Sequence, residues 1–159
     1  MKQGKIIAGY DCIREIKEGS TPLSLVLAKN LNAFTKIVEA FTAKKEAIFQ
    51  KKVVMKDGQP KLKEEVEKAI KEGKINPNKG VPHAFFEFPS TQDETEFQKE
   101  IAALEAEEIQ INMHVVSMGS TIYSNDMGNV PLGSFLNSTA SALSPTTLSI
   151  LIDLGILID

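Results

Sequence analysis

Cysteine occurs once, at Cys12, and histidine twice, at His83 and His114, in a chain of 159 residues. A lone thiol excludes an intramolecular disulfide and fits a reducing compartment. Cys12 lies beside Asp11 rather than a cluster of cations, which gives no reason for an activated thiolate and suits a small apolar residue. Neither histidine has a cysteine, histidine or carboxylate at ligand spacing on its own element, so no metal site is expected. A general base also needs an oriented partner, and none is evident beside His83 or His114. No long apolar run is present. Arg14, Glu15 and Lys17 interrupt the N-terminal stretch where a secretion signal needs continuous apolar residues. Leu148 to Ile158 is broken by Asp153 and falls short of the roughly 20 residues of a membrane span, so it is expected in the core. Also missing are a phosphate-cradling glycine pattern, a nucleophile elbow and paired cysteines. These absences lead to the expectation of a non-enzyme with no cofactor, no metal and no membrane partner.

What is there is an ordinary globular composition, 42% hydrophobic and 25% charged, which implies one domain over 1–159. The net charge of -3 hides an uneven distribution. Residues 1–82 hold 17 Lys and Arg against 10 Asp and Glu, whereas residues 83–159 hold 1 against 11. The simplest reading is that the halves fold together and neutralise each other. A second is head-to-tail association of copies through opposite faces. Nucleic-acid binding through Lys44, Lys45, Lys51, Lys52 and Lys56 is a third, and the acidic second half and the lack of interleaved aromatics argue against it.

The strongest pattern is a long helix over 21–52. Ser20, Thr21 and Pro22 form a start signal, because a hydroxyl accepts first-turn N–H groups and proline suits the first helical position. Leu27, Leu31, Phe34, Val38, Phe41 and Ile48 then recur at helical spacing, with Lys45 at the missing step. With no glycine or proline between Leu23 and Lys52, such a helix is about 45 Å long. Its apolar seam needs a cover, since each Leu, Val, Ile or Phe contributes about 1.5–3 kcal/mol when buried. That cover is either the same chain or another one. A smaller helix over Tyr10 to Glu18 precedes it, closed by Gly19.

A charged turn and short helix fill 53–82. Asp57-Gly58 marks a tight turn, 61–72 a solvated helix ended by Gly73, and the Asn and Pro residues from Asn76 to Pro82 a linker. A helix–strand unit occupies 83–116. It contains a brief strand at Ala84 to Phe88, a helix started by Ser90/Asp93 or Thr91/Glu94, and a half-buried strand in which Ile109, Ile111, Met113 and Val115 alternate with polar residues. Residues 117–143, rich in Ser, Thr, Asn and Gly, are expected as an irregular loop. Its Asn125, Asp126, Gly128 and Asn129 lack the pattern of a cation loop. Tyr123, Met127 and Phe135 give the loop apolar weight beyond that of a disordered tail. Ser144-Pro145 opens a C-terminal helix over 144–155. The fold class is therefore α+β: a long N-terminal amphipathic helix, two or three further helices and short antiparallel strands.

The acidic run Glu100, Glu105, Glu107 and Glu108 is best read as a solvated helix face, because no His, Lys or Tyr motif accompanies it. The candidate interaction residues are instead apolar: Leu27, Leu31, Phe34, Val38 and Phe41 on the seam, and Tyr123, Met127 and Phe135 in the loop.

The runs STPLSLVLAKNLNAFTKIVEAFTAKKEAIFQKK, KDGQPK, EFQKEIAALEAEEIQINMHVV and LSPTTLSILIDLGIL together resemble small tailed-phage proteins of the coil-containing type. Those share a long helix, a charged turn, a helix running into an alternating strand and a Ser-Pro-initiated last helix. The present chain departs from them in its Ser/Asn/Gly-rich stretch before that last helix. The resemblance implies a phage protein, found in the bacterial host cytoplasm or the virion, that works by protein–protein contact in the particle or during its assembly. Its partner would be a second copy or a phage structural protein. The alternative is a small regulator that binds and blocks a host defence factor.

Overall fold

The computed structural model describes residues 1–16, 21–124, 127–136 and 143–158. In chain order the elements are α1 (Gln3–Glu15), α2 (Thr21–Lys52), β1 (Met55–Lys56), β2 (Gln59–Pro60), α3 (Glu64–Lys71), α4 (Thr91–Ala106), β3 (Val116–Ser117), β4 (Thr121–Ser124), β5 (Gly128–Pro131), α5 (Leu132–Leu136), α6 (Pro145–Asp153) and β6 (Leu157–Ile158). The class is α+β, and the long helix runs unbroken between the expected ends. Its expected cap, Ser20, lies outside the described residues, as does Gly19, but the helix expected to reach Glu18 already ends at Glu15, with Ile16 extended. Where composition suggests one domain, the contacts divide the chain into two compact units, 1–40 with 105–159, and 41–104.

The core of the first unit gathers Ile6 and Ile13 of α1, Leu23, Leu27 and Phe34 of α2, Ile122 of β4, Leu132, Phe135 and Leu136 of α5, and Leu151, Leu154, Ile156 and Leu157 around the end of α6. Helix α1 begins seven residues earlier than the expected Tyr10. Its buried face is Gln3, Ile6, Gly9 and Ile13, and a glutamine and a glycine at two of those positions hide the helical period. Its first turn is held from outside, since the Gln3 N–H donates to the Glu107 carbonyl at 2.8 Å.

The strand expected over 109–116 is a correction. Only Val116–Ser117 pairs, and it does so in parallel with Leu157–Ile158, where antiparallel strands are expected. Upstream the alternation holds from 109 to 114, with Ile109, Ile111 and Met113 half-buried and Gln110, Asn112 and His114 exposed, and it fails at Val115, which is 46% exposed beside the buried Val116. The backbone there finds partners other than a ladder. Ile109 N–H donates to the Met1 carbonyl at 2.8 Å, and the His114 peptide is held by the Asn30 side chain.

Within 117–143, the described residues 117–124 and 127–136 are also more ordered than an irregular loop. β4 and β5 form an antiparallel hairpin that registers Ile122 with Val130, and α5 follows at once. The Leu132 and Gly133 N–H groups donate to the Ser120 and Met118 carbonyls, both at 2.7 Å. Burial of Ile122, Leu132, Phe135 and Leu136 supplies the drive that the polar composition conceals. α6 starts as its sequence implies, with the Ser144 hydroxyl accepting the Thr147 N–H at 3.1 Å and Pro145 in the first turn.

In the second unit, Asp57 and Gly58 both take positive φ, 53° and 77°, and close the two-residue hairpin between β1 and β2. The strand expected at Ala84 to Phe88 is instead a tight helical turn at His83–Phe85 followed by an isolated bridge between Phe86 and Leu62. The backbone there is taken up by the turn itself, the Phe85 N–H donating to the Pro82 carbonyl at 2.9 Å and the Phe86 N–H to the His83 carbonyl at 3.1 Å. α4 opens on the Ser90/Asp93 pair: the Ser90 hydroxyl accepts the Asp93 N–H at 3.1 Å and donates to its carboxylate at 2.5 Å.

Candidate functional site

The seam of α2 is occupied from within. Leu27 and Phe34 lie in the core of the first unit, Phe34 with no exposed surface, and Leu31 packs half-buried against that core. Phe41 is buried and Val38 half-buried. Side chains packed this way present a partner with little surface. Phe135 is likewise in the core, whereas Met127 is 39% exposed. Tyr123 pairs with Asn129 across the β4–β5 hairpin through its backbone, and its side chain lies outside the described residues.

The uneven charge is largely matched inside the second unit, which holds 12 lysines and 11 acidic residues. Lys52 sits 3.1 Å from Glu96 and 3.0 Å from Glu100 on α4. Lys61 lies 2.6 Å from Glu87, and Lys63 lies 3.4 Å from Glu94. Bonds to Glu100, then to Glu96, hold the Lys52 ammonium above its usual range. The hydrogen bond from Gln92, then the one from Lys52, lowers the Glu96 carboxyl. Every one of these pairs joins the basic first half of the sequence to its acidic second half. Lys52 is thereby withdrawn from the basic set that nucleic-acid binding draws on.

The same unit carries an open groove. Its frame is a closed ring of three backbone hydrogen bonds: Lys61 N–H to Val54 C=O (2.8 Å), Val54 N–H to Glu87 C=O (2.9 Å), and Glu87 N–H to Lys61 C=O (2.8 Å). This ring ties the β1–β2 hairpin to the chain after Phe86. Phe49 of α2 fills the space behind it, with ring centroids 4.4 Å from His83, 5.1 Å from Phe86 and 5.9 Å from Phe97, all edge-on. Such pairs contribute about 0.5–1.5 kcal/mol beyond the area they bury. Over this floor lies a cavity of about 550 Å³, edged by Glu46, Gln50, Gln59 and His83 and floored by Phe49, Pro60, Leu62, Val81 and Phe86.

Its polar groups are few. Glu46 Oε1 accepts a hydrogen bond from Gln50 Nε2 at 2.6 Å, and Glu46 Oε2 lies 3.7 Å from His83 Nε2. Burial, then the charge of Lys45, pushes the His83 imidazole below its usual range, with Glu46 acting in the opposite sense. The lining thus presents one carboxylate, one imidazole favoured as neutral, and two amides over an aromatic floor, a set suited to binding a surface. No single stretch of sequence announces it, because the residues come from α2, the hairpin and Leu62 beyond it, the 76–82 linker, His83 and Phe86. The available signal was the density of Phe85, Phe86 and Phe88 around a region the charge pattern makes look solvated.

Cys12, half-exposed on α1, has its thiol raised by burial, lowered less by a hydrogen bond with Thr147 and raised again by Glu15. Among the described residues no group of three His, Cys, Asp or Glu is placed to hold a metal ion, and no helix is long and apolar enough to cross a membrane. Asn125 and Asp126 lie outside the described residues. No family model, curated protein or solved structure matches this chain.

Proposed function

We propose that this chain is a non-enzymatic bacteriophage protein that acts by contact with another protein, as a component of the virion or a factor in its assembly. The observation that carries this reading is the groove of the 41–104 unit, in which an aromatic and aliphatic floor stays open to solvent beneath a polar edge. Protein-contact surfaces combine an apolar centre with a polar rim in this way. The phage origin is supported by the order of elements, long α2, charged hairpin, α4 leading into an extended segment, and the Ser-Pro start of α6.

Quantitative mass spectrometry of purified particles and of their assembly intermediates tests this proposal. A fixed copy number in either is the expected result. Absence from both, in cells that express the chain, would contradict it.

A further inference from the structure

We propose that the groove takes a basic, apolar stretch of the partner protein, with an arginine meeting Glu46 and an adjoining apolar side chain lying on Phe86 and Leu62. The inference rests on the protein-contact reading and names the partner's chemistry.

Charge decides the first half. Glu46 is the one ionisable acid of the lining, and its side chain is 52% exposed. Its Oε2 lies beyond hydrogen-bond range of His83, and a carboxylate has about four acceptor positions, so one contact with Gln50 leaves most of them available. The imidazole beside it is held toward its neutral form by burial and by Lys45 and supplies little positive charge. A cationic ligand therefore complements this edge better than an anionic one.

Shape decides the second half. An ammonium is a compact, strongly hydrated charge, whereas a guanidinium is planar and weakly hydrated and can lie against an aromatic ring while it donates to several acceptors. The groove offers the half-buried ring of Phe86 together with the side-chain amides of Gln50 and Gln59, a set that fits the planar group. The remaining floor, Leu62, Val81 and Phe86, needs an apolar neighbour to displace its water. Lys45 precedes Glu46 on α2 and works against a cation, which places the expected effect of the charge at the modest end.

The test is titration of the isotope-labelled full chain, followed by NMR, with capped Gly-Leu-Arg-Phe-Gly and with peptides carrying Glu or Gln in place of Arg. The arginine peptide should shift the Gln50 and Gln59 side-chain amides and the His83 ring signals saturably, and the glutamate peptide should not. Glu46→Gln should weaken binding about two- to fivefold, the range expected for one partly exposed charge contact. Glu46→Lys should weaken it further while the Val54, Lys61 and Glu87 backbone amide signals stay in place, which reports an intact frame in the same unit. Equal binding of the Arg and Glu peptides would overturn the inference, as would a groove whose signals no peptide moves. Either result leaves a contact elsewhere on the chain to be judged by particle composition. Absence from particles alongside arginine-selective binding would remove the phage assignment and leave this site standing.

Discussion

The side-chain amide of Asn30 takes up the His114 peptide on both sides, with Nδ2 donating to the carbonyl at 2.7 Å and Oδ1 accepting the N–H at 2.9 Å. Asn30 has no exposed surface, so a polar group sits in the middle of the buried stripe of α2 and substitutes for the strand that 109–116 lacks. Removing it leaves two backbone groups without this partner. Asn30→Ala should cost about 1–3 kcal/mol, the usual penalty for an unsatisfied buried group. Asn30→Leu, which keeps the branching and the number of side-chain heavy atoms, should lose the same hydrogen bonds and also destabilise. Urea unfolding checks both, and a midpoint unchanged in either variant would show the clamp to be dispensable.

Gly9 sets the approach of α1 to the end of α6. A Cβ placed there would lie 2.6 Å and 3.0 Å from the two Leu154 methyls and 3.3 Å from a Phe34 ring carbon. Two effects compete in Gly9→Ala: about 1 kcal/mol gained from helix propensity, and about 1–3 kcal/mol lost to overpacking. Leu154 is itself buried, so the loss should win. Adding Leu154→Val should recover part of it, and the double-mutant cycle should therefore be non-additive. Additive thermal shifts would contradict the contact.

The second unit should weaken as pH falls through the histidine range. Folding depresses the His83 imidazole below its ordinary 6.5, so the unfolded chain takes up its proton first. Stability is then present above about pH 6.5 and is lost as pH falls through the lower folded value. The groups that bear on this titration are Lys45, which adds to the depression, and Glu46, which opposes it. His83→Gln should flatten urea midpoints across that window. A further loss, from carboxylates such as Glu96, should set in only below its ordinary 4.5. A variant whose pH profile matches the parent's would refute the assignment.

Cys12 should be a sluggish nucleophile. Its thiol lies above the ordinary 9.0, first through burial, so little thiolate exists near neutrality. Reaction with a thiol-specific disulfide reagent should be slower than that of a free thiol and should rise with pH to a midpoint above 9.0. Thr147→Val, which removes the one hydrogen bond that favours the thiolate, should push the midpoint higher still. A midpoint below the ordinary value would contradict the environment described.

Local chemistry was readable and long-range partnership was not. The start of α2 at Thr21 and its run to Lys52, the Asp57-Gly58 turn, the Ser90/Asp93 start of α4 and the Ser144-Pro145 start of α6 each depend on residues within one or two turns. What covers the stripe of α2 depends on residues scattered from Ile6 to Leu157, and no period reveals it. Asn30 looks like a solvent position until the His114 peptide is seen opposite it. The β3–β6 pair joins Val116 to Leu157 across the hairpin and two helices, and two-residue strands leave no alternation to read. The groove was hidden for the same reason, with Glu46 and Phe86 brought together only by the ring through Val54, Lys61 and Glu87.

The claim that this chain works through a protein contact at that groove can be put to one measurement in infected cells: photo-crosslinking from position 50, in place of Gln50, beside the same probe in place of the exposed Lys36. The account predicts one discrete adduct from position 50 alone, joined at an arginine-bearing, apolar segment of a structural protein of the same phage. Adducts of equal yield from both positions, or none from position 50, would contradict it.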